Sequence, residues 1–94
     1  MSIILHLRIR VEPVNQPRFY EFLQRAIPVY EQPGGIKVTL LQNPQDPIRF
    51  IELVEYATQE DYDQDQVRVS EDPVNIRLLQ EWRELISCPP EIEV

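Results

Sequence analysis

Apolar and polar positions alternate along Ile3 to Val11. Leu5, Leu7, Ile9 and Val11 share one face, while His6, Arg8 and Arg10 share the other, the period-two signature of a strand. Pro13 ends it. Asn15 is placed to cap a helix whose first turn tolerates Pro17. In that helix Phe19, Phe22, Leu23, Ala26, Val29 and Tyr30 recur at helical spacing. Pro28 lacks an N–H and crowds the Gln24 carbonyl, so it is expected to kink or end the helix. "QPGG" (Gln32 to Gly35) closes the segment and holds both glycines of the chain, where a positive φ costs little.

Ile36 to Leu41 and Ile48 to Tyr56 read as two strands joined by the turn "NPQDP" (Asn43 to Pro47), a hairpin. Thr58 with Asp61 forms a capping-box-like start to an acidic helix. "SEDP" (Ser70 to Pro73) restarts the helix, with Asp72 as N-cap and Pro73 at the first position. Ile76, Leu79, Trp82, Leu85 and Ile86 supply the apolar face of this last helix. "CPPEIEV" reads as a break followed by a short edge strand. One domain, 1–94, accounts for the whole pattern.

The order predicts an α+β, ferredoxin-like sandwich (βαββααβ): a four-stranded antiparallel sheet with helices on one face and the first strand beside the third. The far side of such a sheet ordinarily meets water and reads polar. Here the first and third strands carry large apolar groups on both faces, the pattern of a sheet covered on both sides. A second sheet from a twofold-related copy is the simplest cover, so a homodimer is expected.

Charge and composition narrow the partners. A net charge of -7 with no basic stripe argues against nucleic acid and against anionic membrane surfaces. No apolar run is long enough to span a bilayer. The single cysteine, Cys88, cannot form an internal disulfide, and the "MSIILHLRIRV" start is interrupted by His6 and Arg8. A cytoplasmic protein is therefore expected. Metal-ligand spacing is lacking around His6. "DYDQD" (Asp61 to Asp65) lacks the glycine and glutamate of a calcium loop and reads as a solvated acidic helix face.

The element order, "PGG" after the first helix, and "FIELVEYATQEDYDQD" together resemble the antibiotic-biosynthesis-monooxygenase domains of the dimeric α+β barrel superfamily. That resemblance covers essentially the whole chain. It implies two sheets packed face to face, helices outside, and a pocket in each subunit between sheet and helices, with no cofactor. In the oxygenase branch an asparagine lies four residues before an aromatic, with a tyrosine six residues further on. Tyr56 and Tyr62 match the aromatic positions, and Glu52 stands at the asparagine position. The haem-degrading branch has a histidine in the helix after the third strand, where this chain offers Asp65 and Gln66.

Glu52 and Glu55 lie three apart on one strand and so project to opposite faces. Glu52 shares its face with Phe50, Val54 and Tyr56. In the helix-facing pocket desolvation would raise its pKa, and two roles stay open: a base or acid, or a hydrogen bond to a tyrosine hydroxyl. Glu55 is expected at the dimer interface with His6, Arg8 and Arg10, as an ion paired to an arginine of its own or the partner subunit. Tyr20, Tyr30, Tyr56, Tyr62 and Trp82 are candidate walls of an aromatic site, or plain core. The catalytic candidates are Glu52, Tyr56 and Tyr62, with Phe19, Phe22 and Trp82 lining the pocket. The expected function is binding of a small aromatic or hydrophobic ligand, with cofactor-free oxygenation or proton transfer. The alternative is a non-catalytic ligand-binding or stress-related homodimer.

Overall fold

A computed structural model describes residues 2–94. Strand β1 (Ile3–Arg10) leads through a 3-10 turn (Pro13–Asn15) into helix α1 (Gln16–Glu31). The hairpin β2 (Ile36–Gln42) and β3 (Arg49–Tyr56) follows, then α2 (Gln59–Glu71), α3 (Pro73–Leu85) and the short β4 (Glu91–Glu93). The sheet order is β2-β3-β1-β4, antiparallel throughout, with Leu7 opposite Glu52 and Ile3 opposite Tyr56. This is the expected ferredoxin-like arrangement, including the edge position of the last strand. Among the described residues no helix is long and apolar enough to cross a membrane.

Register sorts the side chains into two faces. Leu7, Ile9, Phe50, Val54 and Tyr56 are buried against Phe19, Phe22, Leu23 and Ala26 of α1 and Trp82 of α3. The opposite face carries Ile4, Leu41 and Ile51, all exposed, beside His6, which lies opposite Leu53 and Glu93. The expected pairing of Glu55 with Arg8 or Arg10 is not made within the subunit. The register sets Glu55 opposite Ile4 and Lys37, far along the strand from Arg8 and Arg10. Arg8 instead approaches Glu93 at 3.8 Å, and Arg10 faces Arg49 across the ladder.

Two caps form as read: the Thr58 hydroxyl accepts from the Asp61 N–H at 3.1 Å, and the Asp72 carboxylate accepts from the Val74 N–H at 3.2 Å ahead of Pro73. One expectation for α1 is corrected, and one of the two alternatives open for Pro28 falls away. Asn15 makes no side-chain cap, because its backbone is already helical at the end of the 3-10 turn. Pro28 sits inside α1 without ending it. The turn beyond it is held from outside: Arg68 donates to the Val29 and Tyr30 carbonyls, and the Glu31 carboxylate accepts from the Val38 N–H at 2.8 Å. Those bonds offset the one that proline deletes.

Both glycines turn the chain with positive φ, 83° at Gly34 and 72° at Gly35. Only Gly35 is also crowded: a Cβ there would collide with the Asp61 carboxylate, whereas Gly34 faces open space. Gly34→Ala should therefore cost about 1–2 kcal/mol from backbone strain alone. Gly35→Ala should cost more, and the gap should narrow in an Asp61→Ala background. Urea denaturation of the three variants checks this; equal costs for the two glycines would refute the close approach.

Candidate functional site

The polar groups that the fold buries converge on one cavity of about 220 Å³ between the sheet and α2–α3. Leu7, Glu52 and Tyr56 form its sheet wall, and Asp65, Asn75 and Trp82 its helix wall. Tyr30 and Ile92 flank it. A larger concavity of about 670 Å³ lies at the end of the sheet near Arg8, Arg10, Arg49 and Cys88. It holds none of the buried polar atoms that lack partners, and its arginines sit on the open face, so the smaller cavity is the candidate site.

Strand alternation carries Glu52 inward between Phe50 and Val54, where it is 5% exposed. Its Oε1 has no hydrogen-bond partner. Burial alone lifts its pKa from 4.5 to about 7, because a low-dielectric surrounding penalises the charged form. Half-ionised near neutrality, Glu52 can accept or return a proton without a large free-energy step. Burial also pushes the Tyr30 phenol well above its ordinary range, and the nearby Glu52 carboxylate adds to that shift.

The second role open to Glu52, a hydrogen bond to a tyrosine hydroxyl, is not made. The Tyr56 hydroxyl donates to Asp65 Oδ2 at 2.5 Å, and burial followed by this bond holds the phenol protonated far above its usual range. Asp65 Oδ1 in turn accepts from Arg68 Nη2 at 2.8 Å. Asp65 was expected on a solvated helix face, and it is buried instead: α2 packs on β3 by the side that presents Asp65 to Tyr56. Its spacing from Arg68, three residues along a helix with no other cation, was the signal available in the sequence.

Of the other candidates, Trp82 lines the cavity and is 6% exposed. Phe19 and Phe22 are fully buried in the core and do not line it. Phe19 packs on Phe50, ring centroids 5.5 Å apart, toward the other end of the sheet. Tyr20 joins that cluster from an exposed position. Tyr62 meets Tyr56 edge-on at 5.2 Å but is not a lining residue. Asn75, 1% exposed, has no counterpart among the sequence candidates. It was missed because a polar residue in the first turn of a helix ordinarily meets water. Among the described residues no group of three or more His, Cys, Asp or Glu side chains is arranged to hold a metal ion.

The Glu52 shift has a defined effect on stability. Unfolded, the carboxyl ionises near 4.5, and folded near 7. Between these values the native state binds more proton than the unfolded chain, so stability falls as pH rises, and the penalty is complete above the folded pKa. Glu52→Gln removes the titration and should gain on the parent by about 3 kcal/mol from about pH 4 to about pH 8. Denaturant unfolding across that range measures the difference; parallel curves for the two proteins would refute the desolvation of Glu52.

The family model for antibiotic biosynthesis monooxygenases matches residues 2–66. No curated protein matches the chain by sequence. Among solved structures, a conserved protein from Methanosarcina mazei superposes with a TM-score of 0.83 at 17% identity, covering 99% of this chain and 89% of that one. SnoaB, a cofactor-independent oxygenase from Streptomyces nogalater, superposes in a mutant form with a TM-score of 0.78 at 12% identity, covering 99% and 91%. Rv0793 from Mycobacterium tuberculosis gives 0.75 at 13% identity, covering 99% and 91%. These likenesses are of fold, and with the family match over most of its length the chain belongs to the antibiotic biosynthesis monooxygenase family.

Proposed function

We propose that this chain is a small-molecule-binding protein of the monooxygenase type, in which each subunit of a homodimer holds one small aromatic or hydrophobic molecule beside Glu52. The observation that carries this reading is the unpartnered Glu52 carboxyl on the wall of the cavity. Natural cores rarely keep an unpaired acid, and a strongly shifted group in a cleft is a mark of function. Glu52 is the base: it takes a proton from an acidic O–H or C–H of the ligand. The resulting electron-rich anion is the kind of species that reacts with dioxygen directly, so cofactor-free oxygenation is the reaction this arrangement favours.

Binding without turnover is favoured by a different observation. The Tyr56 hydroxyl is committed to Asp65 and Tyr62 stays out of the cavity, which leaves Glu52 without a second proton-transfer partner. The dimer reading rests on the open face of the sheet, where Ile4, Leu41 and Ile51 are exposed together. Arg10 faces Arg49 there; Arg49 is paired with Asp46 at 3.1 Å, so Arg10 is the cation that a partner's exposed Glu55 or Glu91 would meet.

The chain has one tryptophan, so its emission reports on the cavity. Titration with p-cresol should quench Trp82 saturably at millimolar concentration or below, and a flat response would sink the ligand reading. Oxygen uptake on adding the ligand separates turnover from binding alone; Glu52→Gln should abolish any uptake. Sedimentation at micromolar concentration should give a dimer, and Leu53→Asp on the open face should give a monomer. A monomeric parent protein would overturn the assembly.

A further inference from the structure

Glu52 is not the only group in this cavity without a partner. Among the described residues the buried side-chain atoms that make no hydrogen bond are Glu52 Oε1, Asn75 Oδ1 and Trp82 Nε1, and all three belong to residues lining the same cavity. Each of these side chains is more than nine-tenths buried, where a polar atom left unsatisfied is costly. Three such atoms on side chains that line one space fit a recognition element better than a packing defect.

Their chemistry is not interchangeable. Asn75 Nδ2 donates to Asp72 Oδ2 at 2.6 Å, while the other Asp72 oxygen accepts from the Val74 N–H at the start of α3. That capping residue therefore sets the amide orientation and leaves Oδ1, an acceptor only, as its unpaired end. The indole N–H of Trp82 is a donor only. Glu52 accepts when ionised and can donate when protonated. A wholly apolar ligand would satisfy none of the three. An anion would meet the Asn75 oxygen and Glu52, with Arg83 as the only cationic side chain among the described lining residues and that one exposed. A cation would find the Asp65 carboxylate already taken by Tyr56 and Arg68 and would face the positive end of the indole N–H.

Size gives a second limit. A cavity of about 150 Å³ accepts benzene and ligand pockets for larger molecules begin near 300 Å³, so about 220 Å³ suits one substituted ring. We infer that Asn75, Trp82 and Glu52 make the cavity selective for a neutral single-ring molecule that carries both a hydrogen-bond donor and an acceptor, such as a hydroxylated aromatic ketone. This rests on the ligand-binding reading above and specifies its ligand: the hydroxyl donates to Asn75 or to ionised Glu52, and the carbonyl accepts from Trp82.

The lone tryptophan supplies one indole N–H signal in the ¹⁵N-labelled protein. That signal is followed against 4-hydroxyacetophenone, 4-methylacetophenone, 1-ethyl-4-methylbenzene, 4-hydroxybenzoate and 4-methylbenzylamine. The hydroxyketone should move it and bind about tenfold or more tighter than the hydrocarbon. The methyl ketone should move the same signal with weaker binding. Trp82→Phe should narrow the ratio of hydroxyketone to hydrocarbon affinity; if that variant misfolds, the parent's indole shift decides alone. Equal affinity for hydrocarbon and hydroxyketone with an unmoved indole signal overturns this inference and leaves ligand binding standing. Tightest binding by the benzoate or the amine overturns it in favour of charge recognition. Failure of every compound to bind overturns the ligand reading itself.

Discussion

The molecule is tied together by one polar chain, buried at its start and half-buried beyond, from the Tyr56 hydroxyl through Asp65 to Arg68 and on to the carbonyls of Val29 and Tyr30. It joins β3, α2 and the end of α1. Hydrogen bonds to charged groups contribute about 1.5–3 kcal/mol each, and removing one partner of a buried pair costs about 3–5 kcal/mol. Its geometric effect matters as much. Arg68 holds the turn of α1 that lies beyond Pro28, and that turn carries Tyr30 to the flank of the cavity. Without the clamp the proline-interrupted helix end would keep only the Glu31 bond to the Val38 N–H as a side-chain hold.

The same cavity shows two carboxylates with opposite fates. Asp65 is matched on both oxygens, by a phenol and a guanidinium, and its charge is compensated where it is buried. Glu52, across the cavity on β3, has burial without compensation, and its proton affinity rises accordingly. A carboxyl in that condition lowers stability at neutral pH. An apolar residue of similar size would relieve that cost, so the acid is a poor choice for packing and a reasonable one for a group that must handle a ligand's proton. Asn75 and Trp82 share this character in a milder, uncharged form.

The fold explains why these groups collect there. Helices cover one face of the sheet, and α1 packs its phenylalanines over the Phe50 end of that face. The Tyr56 end is roofed by α2 and α3, whose inward residues are polar or irregular in size: Asp65, Asn75 and Trp82. Large aromatics fill the first end completely, and the second keeps a space. The cavity is the region where the helix layer changes from one long helix to two short ones joined at Asp72.

Local rules were enough for much of this. Alternation placed Glu52 and Glu55 on opposite faces, because a strand's period of two admits no other result. Thr58 and Asp72 set helix starts through bonds to their own neighbours and Pro73 through its fixed φ, and the doubly apolar strands pointed to a sheet with one face uncovered within the subunit. What the sequence left open depended on contacts between distant segments. Helical spacing showed which face of α1 is apolar, but not that Phe19 and Phe22 lie at the filled end of the sheet. Composition made Asp65 look solvated until α2 docked it against Tyr56. Pro28 left ending and kinking the helix both open until Arg68, forty residues later in the chain, anchored the turn beyond it. Burial, and with it the pKa of Glu52 and the isolation of Asn75 and Trp82, is a property of packed elements rather than of any segment, so only the tertiary structure could decide it.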